Sequence, residues 1–331
     1  MNIKSHVKTS ESYKQNHNRE KIEILYKDNH IVVIYKPEGI LSVPYPGSKN
    51  KTAQSVLEDM LRKAGTANTH HKPYAVHRLD RDTSGVMMFA LTESAQKKIM
   101  NTWHKMVIER LYRAVAEISH NAENLPDAGS IDDPIAQNAH NVGFVPKERY
   151  CGNKNENLRG SWNDNGNGSG SGNRNGNGKT SSEFKTVPAR TNYKIILRGQ
   201  THVLFELSLD TGKKNQIRAH LAAHGYPIAG DKGHRAHTDH FGRLCLHART
   251  LEFNHPFTGE LLKFEVEEPE EWSEYVKRGD KNSKNPFWDL GRSDFDLKHC
   301  ESHRSQAGQK RLSGKDKAHM NFIESGKKFR K

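Results

Sequence analysis

Nine consecutive residues, His77-Arg78-Leu79-Asp80-Arg81-Asp82-Thr83-Ser84-Gly85, bring together a histidine, two arginines, two carboxylates and two hydroxyls. Charge at this density rarely serves folding, because a buried charge needs a paired partner. A carboxylate flanked by Arg78 and Arg81 stays ionised, since nearby cations favour the charged form. An ionised aspartate can act as a nucleophile, a general base or a metal ligand. It can equally form an Asp–Arg ion pair that only fixes the loop. Spacing leaves that choice open, and it does not separate Asp80 from Asp82.

A second basic group follows in Thr211-Gly212-Lys213-Lys214-Asn215-Gln216-Ile217-Arg218. Arg218 on a short helix behind a glycine turn can clamp a phosphate or pair with a distant carboxylate. The plain alternative is a solvated helix face. Asn215 reads as the N-cap of that helix, with Ile217, Leu221 and His224 on one side and Gly225 as the stop. His234, His237 and His240 recur every third residue in a polar loop. Metal ligands need a defined geometry that such a loop does not supply, so these read as solvated histidines. No H-E-x-x-H and no paired C-x-x-C occurs.

The elements that must hold these groups are legible in the patterning. Ile22–Tyr26 and Ile31–Tyr35 are β-rich runs joined across residues 27–30, a hairpin. Ala53, Val56, Leu57, Met60 and Leu61 form one face of a helix that Gly65 stops. The charged loop runs directly into the apolar strand Val86–Leu91, which puts it at a sheet edge, a usual place for catalytic side chains. A helix over residues 93–104 and a strand over 110–116 follow. Later strands are expected at 193–197, at the alternating 203–209, and in a region from 244 through the His255–Gly259 turn to Val266. Core patterning ends near Trp272–Val276.

The chain has 331 residues, with 52 Lys and Arg against 39 Asp and Glu, a net charge of +13. That balance favours a polyanionic partner without naming one. Three scattered cysteines suit a reducing compartment and exclude a disulfide framework. No apolar stretch is long enough to span a bilayer, and the first twenty residues read as a polar disordered arm without a signal-peptide core. Residues 152–182 hold 9 Asn, 8 Gly and 5 Ser and read as a flexible insertion inside the domain 21–277. Asn177-Gly178-Lys179-Thr180 within it is no phosphate-cradling loop, because Asn173 stands where the first glycine is required. Residues 278–331 read as a basic, disordered tail, with 10 Lys or Arg against 3 Asp or Glu over 298–331. His77–Asp80 is partly like the kinase H-R-D loop, but the glycine-rich loop, the strand lysine and D-F-G of kinases are missing.

Together these segments resemble the RluA family of RNA pseudouridine synthases. The family signature H-R-L-D-x-x-T-S-G is complete at His77–Gly85. Lys36-Pro37-Glu38-Gly39, Tyr112, Thr211-Gly212, Gln216-Ile217-Arg218, Pro227–Asp231, Leu244–Ala248 and His255-Pro256 support it in order, over roughly residues 21–276. The resemblance implies an α+β fold, with a mixed, largely antiparallel central sheet, flanking helices and a catalytic cleft with Asp80 at its floor. It implies isomerisation of specific uridines to pseudouridine in ribosomal or transfer RNA, without cofactor or metal, by a cytoplasmic monomer. On the same grounds Asp80 is the catalytic aspartate and Arg218 its partner. Tyr112 stacks on the target base and can serve as a base, and Arg78 helps fill the gap left by a flipped-out nucleotide. His77, Lys213, Lys214 and Gln216 are expected to bind substrate. Lys213-Lys214-Asn215 departs from the Arg-Thr-His common in the family, a change that touches substrate contacts more than chemistry. A non-catalytic RNA-binding protein that retains the fold is the alternative. A metal-dependent hydrolase using the three histidines is a third possibility.

Overall fold

Val, Ile, Met and Phe on both faces of a strand mean that both faces are covered, and the sheet is built around two such strands. The computed structural model describes residues 4–8, 22–47, 50–146 and 184–280, all within the unit Met1–Asp280. Its elements in chain order are β1 (Lys4–Lys8), β2 (Glu23–Lys27), β3 (Ile31–Lys36), α1 (Ala53–Lys63), β4 (Tyr74–Ala75), β5 (Ser84–Ala90), α2 (Glu93–Met106), β6 (Val107–Glu117) and β7 (Ala128–Ile131). They continue with β8 (Ala136–Gln137), β9 (Gly143–Phe144), β10 (Thr191–Arg198), β11 (His202–Leu209), α3 (Gln216–Ala223), β12 (Leu246–Asn254), β13 (Leu261–Val266) and α4 (Glu271–Arg278).

Eleven strands form one sheet with the path β2-β3-β5-β12-β6-β11-β10-β7. Neighbours along it are antiparallel except β5 and β12, which pair in parallel at only two positions, Ser84 with His247 and Gly85 with Ala248. The expected α+β class with a mixed, largely antiparallel sheet and flanking helices is what the chain adopts. Strand β5 is buried along its whole length. Its side chains join Ile31, Val33, Ile99, Phe253 and Phe264 in the core beneath α2. Every helix expected from the patterning is present. Helix α1 starts with a reciprocal Thr52–Ser55 capping box. Strand β11 departs from its alternating pattern, because α4 packs on β10 and β11 and buries residues 202–205 on both faces.

One correction concerns the N-terminal arm. Lys4–Lys8, expected to be disordered, form β1 parallel to β13. Without β1 that edge of β13 would leave a row of N–H and C=O groups unpaired, a ready template for an added strand. The rest of the 1–20 arm, the 152–182 insertion and the tail beyond residue 280 lie outside the described residues.

Candidate active site

The loop between β4 and β5 is pinned from behind by the turn that follows β3. Lys36 Nζ donates to the carbonyls of Pro37 (2.8 Å), Ile40 (2.8 Å) and Arg81 (2.9 Å). Burial pushes this amine down to about 7. Three carbonyl acceptors are satisfied together only by the ammonium form. Gly39 N donates to the Arg81 carbonyl at 3.0 Å. Ser42 Oγ both donates to the Leu79 carbonyl (2.7 Å) and accepts from Leu79 N (3.1 Å).

The end of the loop is equally fixed. Gly85 has φ +124, and a Cβ there would lie 2.1 Å from the Ala248 carbonyl oxygen, so only glycine permits β5 to meet β12. His247 Nε2 donates to the Val266 carbonyl (2.9 Å), which leaves Nδ1 to accept from Ser84 Oγ (2.8 Å). Burial pushes His247 down to about 4, so the ring is neutral. Ser84 and Gly85 are therefore framework, while Thr83 lines the cavity described next.

The loop presents Asp80 to a cavity of about 400 Å³. Arg218 Nη1 (3.1 Å) and Asn215 Nδ2 (2.6 Å) both donate to Asp80 Oδ2. The other oxygen, Oδ1, has no partner among the described residues, and the side chain is 31% exposed. One carboxylate oxygen is thus tied and the other is offered to a ligand. Asp82, by contrast, is absent from the cavity wall and pairs with exposed Arg81 at 3.0 Å. Geometry separates the two aspartates that spacing could not.

Arg218 is held from its far side. Its Nε and Nη2 each donate to Asp231 at 2.7 Å, in the two-pronged geometry that matches guanidinium to carboxylate. Asp231 is 1% exposed. Burial works against its charge, but hydrogen bonds from Arg218 and His234 outweigh that and hold it well below the usual carboxylate range. Burial likewise opposes the Arg218 charge, and Asp231 and Asp80 more than restore it.

Tyr112, on β6, forms the wall beside Asp80 and is buried. Burial, with Asp80 adding to it, raises the phenol's pKa. At neutral pH it is a protonated ring that can stack or donate, and it accepts a proton only after losing its own. Trp103, Arg110, exposed Arg78 and exposed Lys213 line the same space.

Three residues expected to bind substrate have the following surroundings, His77 and Gln216 among the lining of the cavity. His77, expected to bind substrate, packs against Trp103 with ring centroids 4.9 Å apart, and its Nε2 accepts from Met88 N at 3.0 Å. Burial, helped by Arg110, lowers it to about 3, so it is a neutral wall group. Gln216 spends its side chain on the fold. Its Oε1 accepts from Thr211 Oγ1 (2.8 Å) and Lys213 N (2.9 Å), and its Nε2 donates to Arg190 O (2.8 Å) and Thr191 Oγ1 (3.0 Å). Lys214 is not in the cavity wall. Its neighbour Asn215 is left-handed (φ 53), which turns the chain between Lys213 and α3.

Asn215 stands at the N-cap position but makes no side-chain cap bond. Its amide is committed to Asp80 and to Gly143 N. His234 is not solvated either: it is 5% exposed and bonded to Asp231. Among the described residues no group of His, Cys, Asp or Glu could hold a metal ion. No helix of the described residues is long and apolar enough to cross a membrane.

Comparison with known proteins agrees with this architecture. Residues 30–223 match the RNA pseudouridylate synthase family. An uncharacterized RNA pseudouridine synthase of Bacillus subtilis, YlyB, is 31% identical over 265 residues, covering 79% of this chain and 74% of the relative. The dual-specificity RNA pseudouridine synthase RluA of Yersinia pestis is 33% identical over 251 residues, covering 74% of this chain and 98% of the relative. A ribosomal large subunit pseudouridine synthase D of Neisseria meningitidis is 28% identical, and the chain spans 58% of its length. The solved structure of human RNA pseudouridylate synthase domain containing 4 shares the fold, with a TM-score of 0.54 at 22% identity over 76% of this chain and 90% of that one. The class is therefore an isomerase that converts uridine in RNA to pseudouridine. Within it, the chain belongs to the RluA family.

Proposed function

We propose that Asp80 is the catalytic carboxylate of uridine isomerisation in this chain, acting at the anomeric carbon of a nucleotide bound in the cavity. One observation carries the reading. Asp80 Oδ2 is tied by Arg218 and Asn215, while Oδ1 has no partner among the described residues, in a cavity walled by Tyr112. In the reaction the N1–C1′ bond breaks and a C5–C1′ bond forms. The C5 hydrogen leaves as a proton and N1 gains one, so no redox partner is required. Arg218 places a cation 3.1 Å from the aspartate, a fixed counter-charge in a site closed by substrate. Tyr112 stacks on the target base. The base must leave its helix to reach the cavity, at a cost of roughly a few kcal/mol. Arg78, exposed at the mouth, offers a guanidinium plane to the strand it leaves. Lys213 and the net charge of +13 favour the phosphate backbone.

The substrate is ribosomal or transfer RNA and the enzyme a cytoplasmic monomer. The relatives named for the ribosomal large subunit and for dual specificity support the RNA class. Purified enzyme is incubated with unmodified ribosomal and transfer RNA transcripts, and nucleoside digests are separated. Pseudouridine is expected at discrete positions in at least one of the two pools. Binding of both pools with no pseudouridine in either would overturn the reading.

A further inference from the structure

The groups behind Asp80 close on themselves. Starting at Asp80 Oδ2, Asn215 Nδ2 donates to it at 2.6 Å, and Asn215 Oδ1 accepts from Gly143 N at 3.1 Å. The carbonyl of the same glycine accepts from His234 Nε2 at 2.8 Å. His234 Nδ1 donates to Asp231 Oδ2 at 3.0 Å, Asp231 takes two bonds from Arg218, and Arg218 Nη1 returns to Asp80 Oδ2 at 3.1 Å. Six residues from four parts of the chain form this ring: the 77–85 loop, the β8–β9 hairpin, the turn leading into α3 with α3 itself, and the loop after it.

Each link has a fixed sense. The Asn215 amide has one orientation, because it must accept from a peptide N–H and donate to a carboxylate. Each nitrogen of His234 faces an acceptor, a carboxylate on one side and a carbonyl on the other. Gly143 has no room to be anything else: a Cβ there would lie 2.2 Å from the Lys214 carbonyl oxygen. The left-handed backbone of Asn215 (φ 53) is a conformation that Asn, Asp and His tolerate better than other side chains. An imidazole also offers one donor and one acceptor, as the Asn215 amide does.

We propose that Asn215 and His234 are positioning residues, which through this ring hold Asp80 with Oδ2 tied and Oδ1 aimed at the substrate. The inference rests on the reading of Asp80 as the catalytic carboxylate. Asn215 acts directly on Asp80, and His234 acts through Asp231 and Arg218 and through the Gly143 peptide. Asn215 lines the cavity and His234 stands behind it, and the role assigned to both is to hold Asp80. Displacing a reacting group by about 1 Å can cost on the order of 100-fold in rate, so the ring's effect falls on kcat.

The test uses the full chain and an RNA it modifies, with kcat and KM measured for Asn215→Asp, Asn215→His, His234→Phe and Asp80→Asn, and thermal unfolding as the control for folding. Asn215→Asp keeps shape and backbone preference but replaces the donor with an acceptor. We expect kcat to fall by about 10- to 100-fold with KM within a few-fold of wild type. Asn215→His is expected to recover most of that loss. His234→Phe is expected to lower kcat about tenfold. Folded Asn215→Asp with kcat within twofold of wild type, beside an inactive Asp80→Asn, would overturn the ring alone. A change confined to KM would do the same, since it would make Asn215 an RNA contact. Activity retained in Asp80→Asn would remove the ring together with the reading it rests on.

Discussion

Removing Arg218 should destabilise the fold, and removing Asp231 with it should cost little or nothing further. The Asp231 side chain is 1% exposed and that of its partner Arg218 is 17% exposed. In Arg218→Met, Asp231 keeps only His234 N (3.2 Å) and His234 Nδ1 (3.0 Å) and loses both 2.7 Å guanidinium bonds. Leaving one partner of a buried pair uncompensated costs ~3–5 kcal/mol; the surviving His234 bonds argue for the lower end, about 3 kcal/mol. Asp231→Asn alone leaves Arg218 with Asp80 and should cost about 2 kcal/mol. In the double variant the buried charge that made each single change costly is gone. A coupling of about 2 kcal/mol is therefore expected. Urea unfolding of the four proteins at neutral pH, read from midpoints at unchanged slope, measures it. The sign with pH follows from the lowered pKa of Asp231. Its contribution is present above the ordinary carboxylate range and is lost as pH falls through the folded value, so the coupling should shrink in acid. Catalysis should not follow stability, because Asp80 has lost its counter-ion in both Arg218 variants. A coupling below about 0.5 kcal/mol would refute the reasoning, because independent sites add to within that margin.

Gly85→Ala should unfold the domain or cost several kcal/mol, since its Cβ would enter the Ala248 carbonyl at a positive φ; solubility and thermal midpoint report it, and a near-wild-type midpoint would contradict it. Lys36→Met strands the carbonyls of Pro37, Ile40 and Arg81, and chemical denaturation should show a loss of about 3 kcal/mol together with reduced kcat. Burial opposes the charge on His224, but bonds from Asp133 and Glu123 raise its pKa overall. Its stabilisation is thus complete below the ordinary histidine pKa and is lost as pH rises through the raised value. The stability gap between wild type and His224→Gln should narrow over that interval, and a gap that widens would contradict the assignment.

The strands and helices around the site were legible because periodicity and turn residues mark them locally. What periodicity misses is set across the chain. Asp80 and Asp82 look alike in sequence, since both neighbour Arg81, and Asn215 and Arg218, 135 and 138 residues further on, distinguish them. Asn215 reads as a cap because its type favours caps, yet the left-handed turn sends its amide to Asp80 instead. Gln216 falls in a motif that suggests substrate, but its burial among backbone groups of Arg190 and Lys213 makes it a brace for the turn. His234 looks solvated because its acceptor, the Gly143 carbonyl, lies on the β8–β9 hairpin, whose strands of two residues each leave no pattern to read.

The central claim is that the chemistry runs through Asp80 and not its neighbour. RNA carrying tritium at uridine C5 loses the label to water as the carbon–carbon glycosidic bond forms. With enzyme in excess over RNA, wild type and Asp82→Asn should release tritium at comparable rates, and folded Asp80→Asn should release none. Release by Asp80→Asn at the wild-type rate, or loss of release only in Asp82→Asn, would contradict the account.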